Sequence, residues 1–209
     1  MLIALYKPFG MLCQFTPDGS QNQPLSVLNL PKDVYALGRL DADSEGLLLL
    51  SDEKGLNSRL LHPSAKHPRT YLAQVERIPS EEDLQPLRRG IEIRTHKTLP
   101  ALVELLQEAP VLPKRDPPIR YRKNVPDSWL KLVLVEGKNR QVRRMTAAIG
   151  FPTLRLVRQA IGDLTLEHLF KRGLSPGAFL EIDDDERKLA FARSLQPQTR
   201  TPRPRPFRQ

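Results

Sequence analysis

Cysteine is all but missing from this chain. Cys13 stands alone among 209 residues, which excludes an intrachain disulfide and a thiolate metal cage. Histidine is scarce as well: His62, His67, His96 and His168 show neither HxH nor HExxH spacing, so no metal site is expected. No aliphatic run exceeds four residues, the length of Leu47 to Leu50, whereas a bilayer span needs roughly 20. The opening Met1 to Tyr6 is too short for a secretory apolar segment, and Lys7 carries its charge on the wrong side. The chain therefore reads as soluble and cytoplasmic, with no membrane partner.

Acidic residues are absent from the last 23 positions. Arg187 to Gln209 hold seven basic residues and no acid, so much of the net charge of +9 belongs to this end. Without it, 26 basic residues face 24 acidic ones, and the body is nearly balanced. A body over residues 1–186 and a basic Pro/Arg-rich tail over 187–209 are expected. Residues 187–194 could form a short helix, and 196–209, with four prolines and four arginines, read as disordered. A body of this size buries roughly 70% of the surface its unfolded chain exposes, so it needs no covalent staples.

The body alternates strands and helices without regular βαβ units, which favours an α+β fold with a mixed sheet. Met1 to Tyr6 is an apolar strand that must end at Pro8. Val34 to Leu37 and Leu47 to Leu50 are strands, the second buried on both faces. Asp52 can cap a helix that turns Leu56, Leu60 and Leu61 inward before Pro63. Thr70 to Val75 is a strand. Ser80 followed by Asp83 is an N-cap with its acid three residues on, opening a helix closed by Gly90. Trp129 begins a strand with Leu130, Leu132 and Leu134 on one face. Asn139 can cap a helix with the inner stripe Val142, Met145 and Ile149. Phe179 to Ile182 is the last strand of the body.

Charge gathers in two places. Gly137 to Gly162 contain Lys138, Arg140, Arg143, Arg144, Arg155 and Arg158 and no acid. The proline-rich stretch from 110 to 128 adds Lys114, Arg115, Arg120, Arg122 and Lys123. In a balanced body this implies a polarised surface. Such a surface suits nucleic-acid phosphates, although solvated helix faces with acidic partners would look the same. The loop Gly38 to Gly46 places Asp41, Asp43, Ser44 and Glu45 between two apolar strands. A tight turn accounts for it, with Asp and Ser bonding their own backbone. The alternative is a carboxylate in a cleft, which needs a cationic partner such as a nearby arginine. Spacing alone names no reaction.

The run Gly38-Arg39-Leu40-Asp41-Ala42-Asp43-Ser44-Glu45-Gly46-Leu47-Leu48 resembles the catalytic motif of the RsuA-like ribosomal RNA pseudouridine synthases. Lys7-Pro8-Phe9-Gly10 is similar to their first motif, and Arg69-Thr70-Tyr71 to the segment holding the active-site tyrosine. Glu136-Gly137-Lys138-Asn139-Arg140-Gln141-Val142-Arg143-Arg144-Met145 resembles the third. The four occur in family order over about residues 2–183. Only six residues precede Lys7, so the resemblance points to the type without an N-terminal S4 RNA-binding domain, as do Pro117-Pro118-Ile119-Arg120 and Ser128-Trp129-Leu130. That type acts on large-subunit (23S) ribosomal RNA, at a U2457-type site. Arg69 and Ala42 depart from the commonest residues of the family at their positions.

The resemblance implies the pseudouridine synthase fold: a mixed, mostly antiparallel sheet flanked by helices, in two subdomains with a central active-site cleft. It implies isomerisation of a uridine with no cofactor and no metal, by a protein expected to be a monomer. Asp41 would be the essential carboxylate, Arg143 its charged partner and Tyr71 the platform under the uracil. Arg39, Lys7, Lys138, Arg140, Arg144, Arg120, Arg122 and Lys123 would contact ribosomal RNA, Arg39 by entering the helix as the target leaves. A non-catalytic RNA-binding or ribosome-assembly factor, and a synthase acting on small-subunit or transfer RNA, are the rival readings.

Overall fold

The computed structural model describes residues 1–94, 96–119 and 125–193. In chain order the strands are β1 (Leu2–Lys7), β2 (Tyr35–Ala36), β3 (Glu45–Ser51), β4 (Arg69–Glu76), β5 (Glu92–Ile93), β6 (His96–Lys97), β7 (Leu102–Leu106), β8 (Asp127–Leu134), β9 (Thr153–Ile161), β10 (Leu164–Thr165) and β11 (Phe179–Glu181). The helices are α1 (Leu56–Leu61), α2 (Glu81–Arg89), α3 (Gln141–Ala148), α4 (Leu166–Lys171) and α5 (Asp184–Ala190). The fold is α+β, built on one nine-stranded sheet with the central order β11-β1-β3-β9-β4-β8-β7; β2 and β10 pair with β3 and β9.

Every pairing in that sheet is antiparallel except one. β3 runs parallel to β9 through only two residue pairs, Glu45 with Val157 and Gly46 with Arg158. Long antiparallel ladders lie on either side: β1 with β3, and β9 with β4 and β4 with β8. The sheet is thus two halves joined at a narrow parallel contact. The strand β3 is buried along its whole length, as its four consecutive leucines require. Leu47 and Leu49 pack into one cluster with Tyr6, Leu72 and Val157, while Leu48 and Leu50 face another with Ile3, Leu5 and Leu25. The far half has its own core, in which Leu130, Leu132 and Leu134 of β8 meet Leu84 and Leu87 of α2 and Val142 and Met145 of α3.

Several local expectations shift. Ser80 does cap α2, in a reciprocal box with Asp83. Asp52 does not cap α1; it binds the N-terminal amine at 2.7 Å, and Gly55 opens that helix. Leu56 and Leu60 are buried as expected, but Leu61 stays exposed. Arg140 rather than Asn139 is the N-cap of α3, in a left-handed conformation (φ 50°, ψ 34°). The expected boundary at residue 186 falls inside α5. Asp183 caps that helix, Glu186 is buried against Arg172 and His168, and Arg187 pairs with Glu53. Residues 187–193 therefore pack with the body. Among the described residues no helix is long and apolar enough to cross a membrane, and no cluster of His, Cys, Asp or Glu could hold a metal.

Candidate active site

A cavity of about 430 Å³ opens beside the parallel contact. Its walls come from the 38–44 loop, Arg69 and Tyr71 of β4, Leu134 of β8, residues 136–142, and Leu156 and Arg158 of β9.

The loop bearing Asp41 is held from beneath. Lys7 is wholly buried, and its Nζ donates to the carbonyls of Pro8, Ala42 and Ser44 at 2.9, 3.2 and 2.7 Å. Burial lowers its pKa to about 8. Gly10 N–H donates to Ala42 O, and Ser44 N–H to Asp41 O. Cys13 acts almost as a strand neighbour, since its Sγ accepts from Leu40 N and donates to Leu40 O at 3.2 and 3.3 Å. The Lys7-Pro8-Phe9-Gly10 segment is therefore a scaffold. Lys7, expected among the RNA contacts, has its ammonium taken up by three backbone carbonyls.

Just past the loop, Glu45 accepts from Arg155 Nε and Nη2 at 2.8 and 2.7 Å, both side chains being almost fully buried. Arg155 also donates to Pro113 O at 2.8 Å, which ties the proline-rich segment to the sheet. Arg115 of that segment stacks 4.0 Å above the Phe9 ring. On the other wall, Glu136 accepts from Gln141 Nε2 and Leu99 N, and Gln141 Oε1 accepts from Lys138 N. These bonds fix the turn that leads into α3.

Asp41 lies on the cavity wall with 29% of its side chain exposed, and Tyr71 stands on the same cavity. Arg143 does not join them. It is mostly buried, donates to Asp43 O at 2.7 Å and Thr153 O at 3.3 Å, and its Nε lies 3.4 Å from Asp43 Oδ2. Among the described residues Arg143 makes its direct contacts with Asp43 while the charge of Asp41 still acts on it, and Arg140 Nη1 lies 3.9 Å from Asp41 Oδ2. Arg140 also grips both Asp43 oxygens, at 3.0 and 2.8 Å. Burial acts to raise the Asp43 pKa, but Arg140 and Arg143 outweigh it and hold its carboxyl below the usual range. The turn sets Asp43 between Arg140 and Arg143 at the start of α3, while Asp41 faces the cavity.

Arg39 and Lys138 are exposed on the cavity rim, and Arg140 joins them there. Arg144 does not line the cavity itself but donates to Oδ1 of Asn139, which does. The expected contacts Arg120, Arg122 and Lys123 lie outside the described residues. Sequence reasoning passed over three wall or support residues. Arg155 and Arg158 were visible only as charge density on an apolar strand, and Ser44 only as a turn former.

Comparison with known proteins identifies the family. The family model for RNA pseudouridylate synthase matches residues 1–148. The chain is 56% identical over 171 residues to the ribosomal large subunit pseudouridine synthase E of Xanthomonas axonopodis pv. citri (strain 306), covering 81% of this chain and 90% of that one. It is 49% identical over 181 residues to the protein of the same name from Vibrio parahaemolyticus serotype O3:K6 (strain RIMD 2210633), covering 87% and 73%. A crystal structure of a pseudouridylate synthase superposes with a TM-score of 0.72 at 26% identity, over 90% of this chain and 73% of the other. With a carboxylate and a tyrosine on one cavity, a cationic rim and relatives of this kind, the chain belongs to the RNA pseudouridylate synthase family and is an RNA-modifying isomerase.

Proposed function

We propose that this enzyme isomerises a uridine of large-subunit ribosomal RNA to pseudouridine, with Asp41 as its essential carboxylate. The observation that carries the chemistry is the meeting of Asp41 and Tyr71 on one cavity large enough for a nucleotide. The choice of RNA rests on the relatives, whose names place them on the large subunit.

The target nucleotide leaves the helix and enters the cavity, at an unstacking cost of a few kcal/mol. Arg39, Lys138 and Arg140 on the rim meet the phosphates on either side. Arg39 has no ion pair among the described residues and is free to occupy the space the base vacates. The Asp41 carboxylate acts at the ribose while the N1–C1′ bond breaks. Arg140 keeps positive charge beside it. Tyr71 holds the detached base by stacking as the ring turns. C5 then bonds to C1′, C5 loses its proton and N1 gains one, so the product is an isomer and no co-reactant is consumed. Arg143 serves the loop: through Asp43 it fixes the turn that aims Asp41.

Replacement of Asp41 by Asn tests this. The variant should fold, bind RNA and leave no pseudouridine above background when large-subunit RNA is mapped by carbodiimide primer extension. Retained modification in a folded variant would overturn the assignment. The same mapping in a strain lacking the gene identifies the nucleotide.

A further inference from the structure

Two buried guanidinium groups line the cavity with no carboxylate partner among the described residues. Arg69 is 7% exposed, and among the described residues its Nη2 donates to Leu60 O at 3.2 Å. Arg158 is 2% exposed, and its Nε donates to Leu47 O at 2.7 Å. That is the one hydrogen bond of the Arg158 side chain among the described residues, and its enclosed Nη2 has none. Ser44 Oγ, also enclosed on this cavity, has no partner either. Arg158 lies directly across the β4–β9 ladder from Tyr71, next to a register shift between Thr70 and Tyr71. Burial lowers the Arg69 pKa, and the nearby charge of Arg158 pushes the same way.

A buried charge without a partner is costly, and buried donors in native proteins almost always find acceptors. A bound group can supply the missing acceptor. The substrate is a polymer that must leave the cavity in both directions, so its phosphates stay at the mouth, near Arg39, Lys138 and Arg140. What reaches the inner wall beside Tyr71 is the base. We propose that Arg158 donates a hydrogen bond to a carbonyl oxygen of the target uracil and stabilises the charge that collects there when the glycosidic bond breaks. As N1–C1′ opens, the electron pair passes to the ring and spreads onto its two carbonyl oxygens. A guanidinium anchored through Nε by Leu47 O is already held close to where that charge forms. Once C5 has bonded to C1′ and the C5 proton has been replaced by one on N1, the ring is neutral again. Arg158 is in this sense a catalytic residue, and its role rests on the pocket being a uridine site.

The test compares wild type, Arg158→Met and Arg158→Lys in single-turnover reactions on RNA carrying uridine, 2-thiouridine or 4-thiouridine at the target. Arg158→Met should slow the reaction by about 10²–10³-fold, as for loss of an oxyanion donor, while RNA affinity stays within about threefold. Its melting temperature should hold or rise, because an unpaired buried charge has been removed. Arg158→Lys should recover part of the rate. Sulfur is a poorer acceptor than oxygen, so one thio-analogue should slow the wild type and have no further effect on Arg158→Met. A wild-type rate for Arg158→Met overturns the proposal. So does a wild type indifferent to both analogues, or a thio effect of equal size in both proteins. Should the Met variant misfold, the same comparison is made with the Lys variant, where a diminished thio effect is expected and an undiminished one refutes. Full activity of Arg158→Met beside an inactive Asp41→Asn removes this inference alone; full activity of Asp41→Asn removes the reading beneath it.

Discussion

Replacing Arg155 by Met should destabilise the enzyme by about 3–5 kcal/mol. The magnitude follows from what the side chain leaves behind. Glu45 would remain with 4% of its side chain exposed, having lost two charge-assisted hydrogen bonds of 2.8 and 2.7 Å. Pro113 O would lose its donor at the same time. In a protein of this size each kcal/mol moves the melting temperature by roughly 2–4 °C, so a fall of about 6–20 °C is expected. The loss is the penalty of an orphaned charge rather than the net worth of the pair, and the double variant separates the two. Glu45→Leu with Arg155→Met removes both charges and should recover most of the stability. Chemical denaturation of the four proteins measures the cycle. A loss below about 1 kcal/mol for Arg155→Met would refute the reasoning. So would a double variant whose loss equals the sum of the single losses.

Two further outcomes are expected. The Lys7 ammonium should titrate near pH 8 rather than 10.5 in a ¹⁵N NMR experiment, a difference of about 3.5 kcal/mol at about 1.4 kcal/mol per unit. Its folded pKa is depressed, so the burial penalty is complete below pH 8, where both states hold the proton. The penalty shrinks between pH 8 and 10.5, and over that window wild type should gain stability relative to Lys7→Met; a midpoint near 10.5 would contradict this. Gly46→Ala should cost about 3 kcal/mol, because a Cβ there would stand 2.4 Å from Arg158 O at a φ of 106°. A loss under about 1 kcal/mol on denaturation would show that the two strands can part freely.

Most of what could be read in the sequence was local. The four leucines of β3, the Ser80–Asp83 box and the apolar face of β8 are patterns of adjacent residues, and each forms where its pattern lies. The loop carrying Asp41 and the strand carrying Tyr71 were legible through resemblance, and the fold brings both to one cavity. The partners of the carboxylates were not legible. Glu45 and Arg155 are 110 positions apart, and Asp43 and Arg143 are 100 apart. Their meeting depends on the parallel register of β3 against β9 and on where α3 lands, which no short-range pattern encodes. The absence of acids from 137–162 suits an RNA surface or a set of solvated faces with acidic partners, and says nothing of which arginines are buried. The sheet divides those arginines: Arg140 is exposed, while Arg155 and Arg158 are buried. Lys7, a charge next to an apolar strand, is likewise enclosed, by three backbone carbonyls.

The two-rung parallel contact between β3 and β9 makes tolerance to sequence change uneven across this enzyme. Substitutions far out on the flanking ladders are absorbed by many neighbouring rungs and leave the opposite half undisturbed. At the seam, a shift of a few tenths of an ångström moves the Asp41 loop on one lip and Arg158 on the other, and so changes the width of the chamber between them. Divergence among enzymes built this way should therefore be free at the rims of the sheet and tightly restricted along its hinge line.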